Sequence, residues 1–181
     1  MEAAAAFLAV RPRSVDETRR RLRHLGYRHT LVDRVVDRLV ELGYLDDESF
    51  ARAWVESRDR ARPRGGSVLR RELALKGVDR DLIAAVLAER EEAAMPAEPN
   101  ETAPDAGSPD RSAAARLLDR RRAALEREPD PRKRRQKAYA LLARNGFDPS
   151  TIGDVLGAWL EADDDAEESA ILGEDGSGDR G

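Results

Sequence analysis

The chain has 181 residues and a net charge of −4, and 38% of its side chains are charged, well above the usual quarter. With only 2 Trp, 3 Tyr and 3 Phe, a single large core is not expected. The absence of cysteine excludes disulfides, thiolate metal sites and a cysteine nucleophile, and two histidines are too few for a histidine zinc site.

Residues 1–13 form an N-terminal extension. Ala3 to Val10 suits a short helix but lacks the basic start of a secretory signal. No stretch approaches the roughly 20 apolar residues of a membrane span, and the absence of cysteine fits the reducing cytoplasm, where the protein is expected. Beyond residue 13, apolar residues recur at i, i+3, i+4 and i+7 without strand-like alternation, which predicts an all-α fold. Helix 14–25 opens on Ser14 with Glu17 three residues on, the spacing of a capping box, and stops at Gly26. Helix 30–42 takes Thr30 as its N-cap and stops at Gly43. His24 and His29, five apart around this turn, are read as surface residues.

Helix 46–60 starts from Asp46, with Leu45 and Phe50 at hydrophobic-staple spacing. Its acidic start, Asp46-Asp47-Glu48, fits the helix dipole better than a metal site. Phe50 and Trp54 lie four apart on one face; a core pair is favoured over a base-stacking platform. Tyr44 and Trp159 are assigned to the core as well. Arg64-Gly65-Gly66-Ser67 is read as a flexible joint in preference to a backbone anion site. Helices 67–76 and 79–90 follow, the first closed by Gly77 and the second capped by Asp79. Residues 91–109 hold four prolines and no basic residue, and are expected to be a disordered linker. Helices resume over 111–127, 131–145 and 149–161, the last two starting from Asp130-Pro131 and Asp148-Pro149. Residues 162–181 read as a disordered acidic tail.

The helices hide a period. Aligned on Gly26, Gly77 and Gly146, five positions are apolar in all three copies. These are Leu22, Leu73 and Leu142; Tyr27, Val78 and Phe147; Val32, Ile83 and Ile152; Val35, Val86 and Val155; and Val36, Leu87 and Leu156. The glycines are 51 and 69 residues apart, and the excess is close to the length of the linker. The units are therefore drawn as 14–64 with three helices, 65–130 with three helices and the linker at 91–109, and 131–161 with two. Stacked repeats predict an elongated, curved body offering a long surface to a long partner.

Nothing in the sequence looks catalytic. GxxxxGK[ST], HExxH and GxSxG are all absent, and neither an enzyme nor a cofactor or metal site is expected. Charge is the remaining signal. Residues 1–90 hold 19 basic and 15 acidic side chains, and residues 111–161 hold 12 and 7, while the linker and tail are acidic. Arg58, Arg60, Arg62, Arg64, Arg70 and Arg71 cross the joint between the first two units. Arg120, Arg121, Arg122, Arg132, Lys133, Arg134, Arg135 and Lys137 cluster near the joint between the second and third. These are the candidate partner- or DNA-binding residues, suited to phosphates or acidic protein surfaces. A merely solvated charged face is the competing explanation.

The stretch from Ser14 to Glu89 resembles the bacterial RecX regulatory proteins. The residues that carry it are RSVDETRRRLRHLGY (13–27), VVDRLVELGYLDDESFARAWVESR (35–58) and LRRELALKGVDRDLI (69–83), with a weaker third part in AYALLARNGFDPSTIGDVL (138–156). The resemblance implies tandem three-helix repeats and a monomeric, non-enzymatic protein that binds the RecA recombinase and its DNA filament. It further implies inhibition of recombinase, ATPase and strand-exchange activity, a place in DNA repair, recombination and the SOS response, and weak direct DNA binding. It supplies no catalytic residue. The 91–109 insertion and the acidic tail depart from the family pattern. The alternatives are a helical DNA-binding protein acting independently of RecA and a generic scaffold.

Overall fold

The computed structural model describes residues 1–94 and 108–160, and all regular structure among them is helical. In chain order the helices are α1 (Glu2–Leu8), α2 (Val15–His24), α3 (His29–Glu41), α4 (Asp47–Ala61), α5 (Gly66–Leu75), α6 (Arg80–Ala94), α7 (Pro109–Leu125) and α8 (Pro131–Arg144). A ninth, α9, occupies residues 149–160.

Local chemistry places most helix ends where the sequence predicts them. Ser14 and Glu17 form the reciprocal capping box of α2. Asp46, Asp79, Asp130 and Asp148 each accept backbone N–H groups at the start of a helix. Thr30 does not cap α3: the N-cap is Arg28, with no side-chain bond to the helix. The repeat explains this, because Arg28 stands two residues after Gly26, where Asp79 follows Gly77 and Asp148 follows Gly146. An arginine cannot accept a hydrogen bond there. Gly26, Gly43, Gly77 and Gly146 all have positive φ, the left-handed C-terminal turn that glycine adopts without a Cβ penalty.

The linker predicted over 91–109 is shorter at both ends. α6 runs on through Glu91, Glu92, Ala93 and Ala94, all good helix formers, and α7 begins at Pro109. Residues 95–107 of that segment, and the acidic tail of 162–181, lie outside the described residues.

Three apolar clusters define the units. Ala4, Leu22, Val32, Val36, Leu39 and Leu45 pack α1, α2 and α3 together. Phe50, Val55, Leu69, Leu73, Val78, Ile83 and Val86 unite α4, α5 and α6. Ala113, Leu118, Leu125, Leu142, Phe147, Ile152, Leu156 and Trp159 unite α7, α8 and α9. The division 14–64, 65–130 and 131–161 is thus out of phase by one helix. α1 belongs to the first unit, α4 opens the second, and α7 opens the third. The glycine alignment found equivalent middle helices (α2, α5 and α8), but which outer helix closes each core is settled only by packing. Leu45 and Phe50, paired as a staple in the sequence, are buried in different clusters.

Of the fifteen aligned apolar residues, all are buried except Val35, which is partly covered, and Tyr27, which is 43% exposed. Phe50 and Val55 of α4 help fill the second core, but α1 brings mainly alanines. The first unit is left with an open apolar groove lined by Met1, Ala3, Ala6, Leu22, Tyr27 and Leu31. Tyr44 is also no core residue. It is 69% exposed, because the chain turns at Gly43 and sends Leu45 inward instead.

Asp148 is the most heavily bonded cap. Its carboxylate accepts the backbone N–H groups and the hydroxyls of Ser150 and Thr151, at 2.6 to 3.0 Å. Those four bonds, the Ser150 hydroxyl foremost, hold its carboxyl far below the usual carboxylate range. We expect Asp148→Ala to lower stability by about 1 kcal/mol at neutral pH. A depressed folded pKa gives stability that is full above the unfolded value of about 3.9 and is lost as pH falls below it. Urea midpoints of the two proteins should therefore draw together as pH falls from about 4 to 2, without yet meeting at pH 2. A gap unchanged across that range would show that the charge is not what caps α9.

Candidate functional site

The candidate residues sit around two seams between neighbouring units. At the first seam, the start of α2 packs on the end of α5. Ser14 Oγ donates to Lys76 O, and Arg20 reaches Leu75 O at 3.0 Å. Val15 N donates to Asp47 Oδ1 at 2.9 Å, so the acidic start of α4 serves both its own helix and α2. Lys76 pairs with Glu17 at 2.7 Å. Burial pushes the Glu17 carboxyl up, but hydrogen bonds from Lys76 and Arg11 outweigh it and hold the group below the usual range.

The second seam repeats the design one unit on, with the start of α5 packed on the end of α8. Gly65 N donates to Asn145 O at 3.0 Å and Ser67 Oγ to Gly146 O at 2.7 Å. Gly66 N donates to Asp110 Oδ2 at 2.9 Å. The glycine turn read as a flexible joint is therefore a tightly bonded one. It does present a backbone N–H to an anion, but the anion is a carboxylate of the chain itself. Arg90, on α6, bridges Asp59 of α4 at 2.8 Å and Asp110 of α7 at 2.6 Å. Among the described residues, no hydrogen bond or ion pair joins the first unit to the third.

These seams sort the predicted basic residues. Arg58 is taken up by the fold: it pairs with Glu72 at 2.7 Å and lies 4.2 Å from the centre of the Trp54 ring. Trp54 donates to the same carboxylate and carries Lys76 4.9 Å from its ring centre. The Phe50/Trp54 pair is thus part of the second core and its edge, not an open stacking platform. Arg60 pairs with Glu56 within α4. Arg122 sits over Trp159 beside Asp119 and Glu126. Arg134 donates to Glu128 O, Lys137 pairs with Glu128, and Lys133 lies 3.9 Å from Asp130. Arg70 and Arg71 on α5, and Arg132 and Arg135 on α8, are exposed on helix surfaces. Arg62, Arg64, Arg120 and Arg121 come together in one groove at the second seam, with Ala61, Pro63, Leu117 and Asn145. His24 and His29 are exposed.

Three residues central to this seam carry no signal strong enough to single out in the sequence. Arg90 is one of many helix arginines, Asp110 adjoins the proline-rich linker, and Asn145 is visible only as the residue before a capping glycine. No helix among the described residues is long and apolar enough to cross a membrane.

Comparison with known proteins agrees with the three-unit packing. Family models described as the first, second and third three-helix domains of RecX match residues 1–39, 46–87 and 110–156. A regulatory protein RecX of Mycobacterium sp. (strain JLS) is 39% identical over 152 residues, 82% of this chain and 75% of that protein. Its counterpart in Prosthecochloris aestuarii (strain DSM 271 / SK 413) is 33% identical over 157 residues, 84% of this chain and 88% of that protein. A crystal structure of RecX from Lactobacillus salivarius superposes with a TM-score of 0.68 at 17% identity, covering 87% of this chain and 92% of that one.

Proposed function

Because the chain belongs to the RecX family of regulatory proteins, we propose that it binds the RecA recombinase and its DNA filament. There it lowers recombinase, ATP-hydrolysis and strand-exchange activity without catalysing a reaction of its own. It acts in the cytoplasm, in DNA repair, recombination and the SOS response. The observation that supports this reading best is the tandem array itself. Three small cores are joined by two bonded seams, with no hydrogen bond or ion pair between the first and third units among the described residues, and such a body covers a repeating partner better than it encloses a small molecule. The basic groups left exposed on α5 and α8 are the candidate contacts with the filament.

The test is a titration of DNA-dependent ATP hydrolysis by RecA. Hydrolysis should fall as this protein rises through micromolar concentrations, and removal of RecA should abolish any tight, sequence-selective DNA binding. Unchanged hydrolysis over the whole titration would refute the inhibitory role. Selective DNA binding that persists without RecA would favour a DNA-binding protein acting alone.

A further inference from the structure

The first unit is not a full copy of the second. The glycines that end α2 and α5 are 51 residues apart, and so are the N-caps of those helices, Ser14 and Gly65. The same register therefore carries back to α1 and α4. It sets Ala4 against Val55, both buried, and Ala3 against Trp54. Phe50 has no counterpart, because α1 has 7 residues where α4 has 15. In the second unit the Phe50 and Trp54 rings, 5.9 Å apart, join Val78, Ile83 and Val86 in one core. In the first unit the counterparts of Val78 and Leu82 are Tyr27 and Leu31, and both are exposed. The apolar groove beside α1 is thus the place that an aromatic pair at i and i+4 fills one unit on.

Charge says what kind of helix can take that place. In the second unit, Arg52 of α4 grips Glu89 of α6 through Nε at 2.9 Å and Nη2 at 2.8 Å. In the first unit the counterpart of Glu89 is Arg38, and the counterpart of Asp79 is Arg28. Arg28, Leu31, Val35 and Arg38 follow at spacings of three and four, so an apolar floor with basic ends forms one stripe along α3. Arg28 is exposed and has no ion pair among the described residues. Arg38 pairs at 2.9 Å with Glu41 on its own helix, and both are exposed, which makes the pair weak. Glu2, the acid among the lining residues, belongs to α1.

We infer that this groove docks an acidic amphipathic helix of another protein. Two bulky apolar side chains, four residues apart, occupy the places that Phe50 and Trp54 hold in the second unit, and carboxylates on the same helix meet Arg28 and Arg38. Helices are recognised in grooves through such spaced anchors, and opposite charge at the rim fixes their orientation. A helix like α4 is rejected, because its Arg52 would face Arg38 in place of Glu89. The surface belongs to the first unit alone and is tested with neither recombinase nor DNA, so its failure leaves the filament reading untouched.

The probe is a fluorescein-labelled, helix-stapled peptide of glutamate and alanine that carries Phe and Leu four residues apart, followed by anisotropy. Saturable binding at micromolar concentration is expected, with none when Phe and Leu are replaced by alanine or when every Glu is Lys. Ala3→Trp supplies the missing ring from the chain itself. It should weaken binding about tenfold or more while keeping or raising the urea midpoint. Arg28→Asp/Arg38→Glu restores the acids of the second unit and should exchange the preference, weakening the Glu peptide and admitting the Lys peptide. Tyr139→Ser removes an exposed aromatic from α8 and should change affinity less than about twofold. No saturable binding of the Glu peptide, equal binding of the Lys peptide, or binding that survives Ala3→Trp undiminished would overturn the proposal. So would either of two other occupants. A dimer in sedimentation that Ala3→Trp dissociates would assign the groove to a second copy. A synthetic peptide of residues 161–181 that displaces the probe as well as unlabelled probe does would assign it to this chain's own tail.

Discussion

Replacing Arg90 with alanine should cost about 3–5 kcal/mol, the largest loss expected from any single change outside the apolar cores. The Arg90 side chain is only 7% exposed and holds two carboxylates, Asp59 and Asp110, that are themselves 23% and 14% exposed. Taking it away leaves both acids partly buried without a counter-charge, and desolvated charge is far more expensive than a lost surface pair. The position also carries architecture. Asp59 belongs to α4 of the same unit, whereas Asp110 starts α7 of the next and simultaneously accepts Gly66 N at 2.9 Å. The substitution should therefore loosen the second seam as well as destabilise the second unit. Urea unfolding followed by circular dichroism reads the first effect, and the radius of gyration from X-ray scattering reads the second. Arg90→Lys keeps the charge but not the planar fork that spans two acids, and should fall between parent and alanine variant. A loss under about 1 kcal/mol for Arg90→Ala, with unchanged scattering, would mean the three charges are independent surface groups.

Gly65→Ala should be nearly as damaging, for a reason unrelated to backbone strain. Gly65 has φ −74, open to any residue. Its added Cβ, however, would lie 2.2 Å from Gly146 O and 2.6 Å from Phe147 N. Those are backbone atoms in a hydrogen-bonded turn, which cannot swing aside as a side chain would. We expect a loss of about 1–3 kcal/mol, the usual range for overpacking, through separation of α5 from the α8–α9 turn. Gly26→Ala is the contrast. It has φ +85, so alanine is strained, but nothing lies within 4 Å of its new Cβ. Its cost should be about 1–2 kcal/mol of local strain, with the seams intact. Scattering distinguishes the two variants: only Gly65→Ala should lengthen the particle. If both leave the radius of gyration unchanged, close backbone approach at the second seam is not what joins the units.

Much of the helix map was legible because its determinants are local. A carboxylate two residues after a C-terminal glycine caps the next helix whatever surrounds it, as Asp79 and Asp148 do. A glycine in the left-handed region ends a helix by itself, as at Gly77 and Gly146. The candidate site was less legible. Charge runs reveal where arginines are, not what they face. Arg58 and Arg62 look alike in sequence, yet one is locked on Glu72 against Trp54 and the other lines an acid-free groove.

Residue order alone was enough to establish the all-α class, the helix boundaries to within a few residues, the threefold period and the family resemblance. Each of these depends on spacing along the chain, which the amino-acid order states directly. The frame of the units came from packing, since a repeat has no marked beginning until outer helices choose their cores. Packing also made the Arg64–Ser67 turn a bonded seam and brought arginines from α7 and from the segment between α4 and α5 into one groove. Those facts rest on contacts between residues roughly 45 to 80 positions apart, and burial and desolvation at such contacts are properties of the folded chain, not of any segment of it.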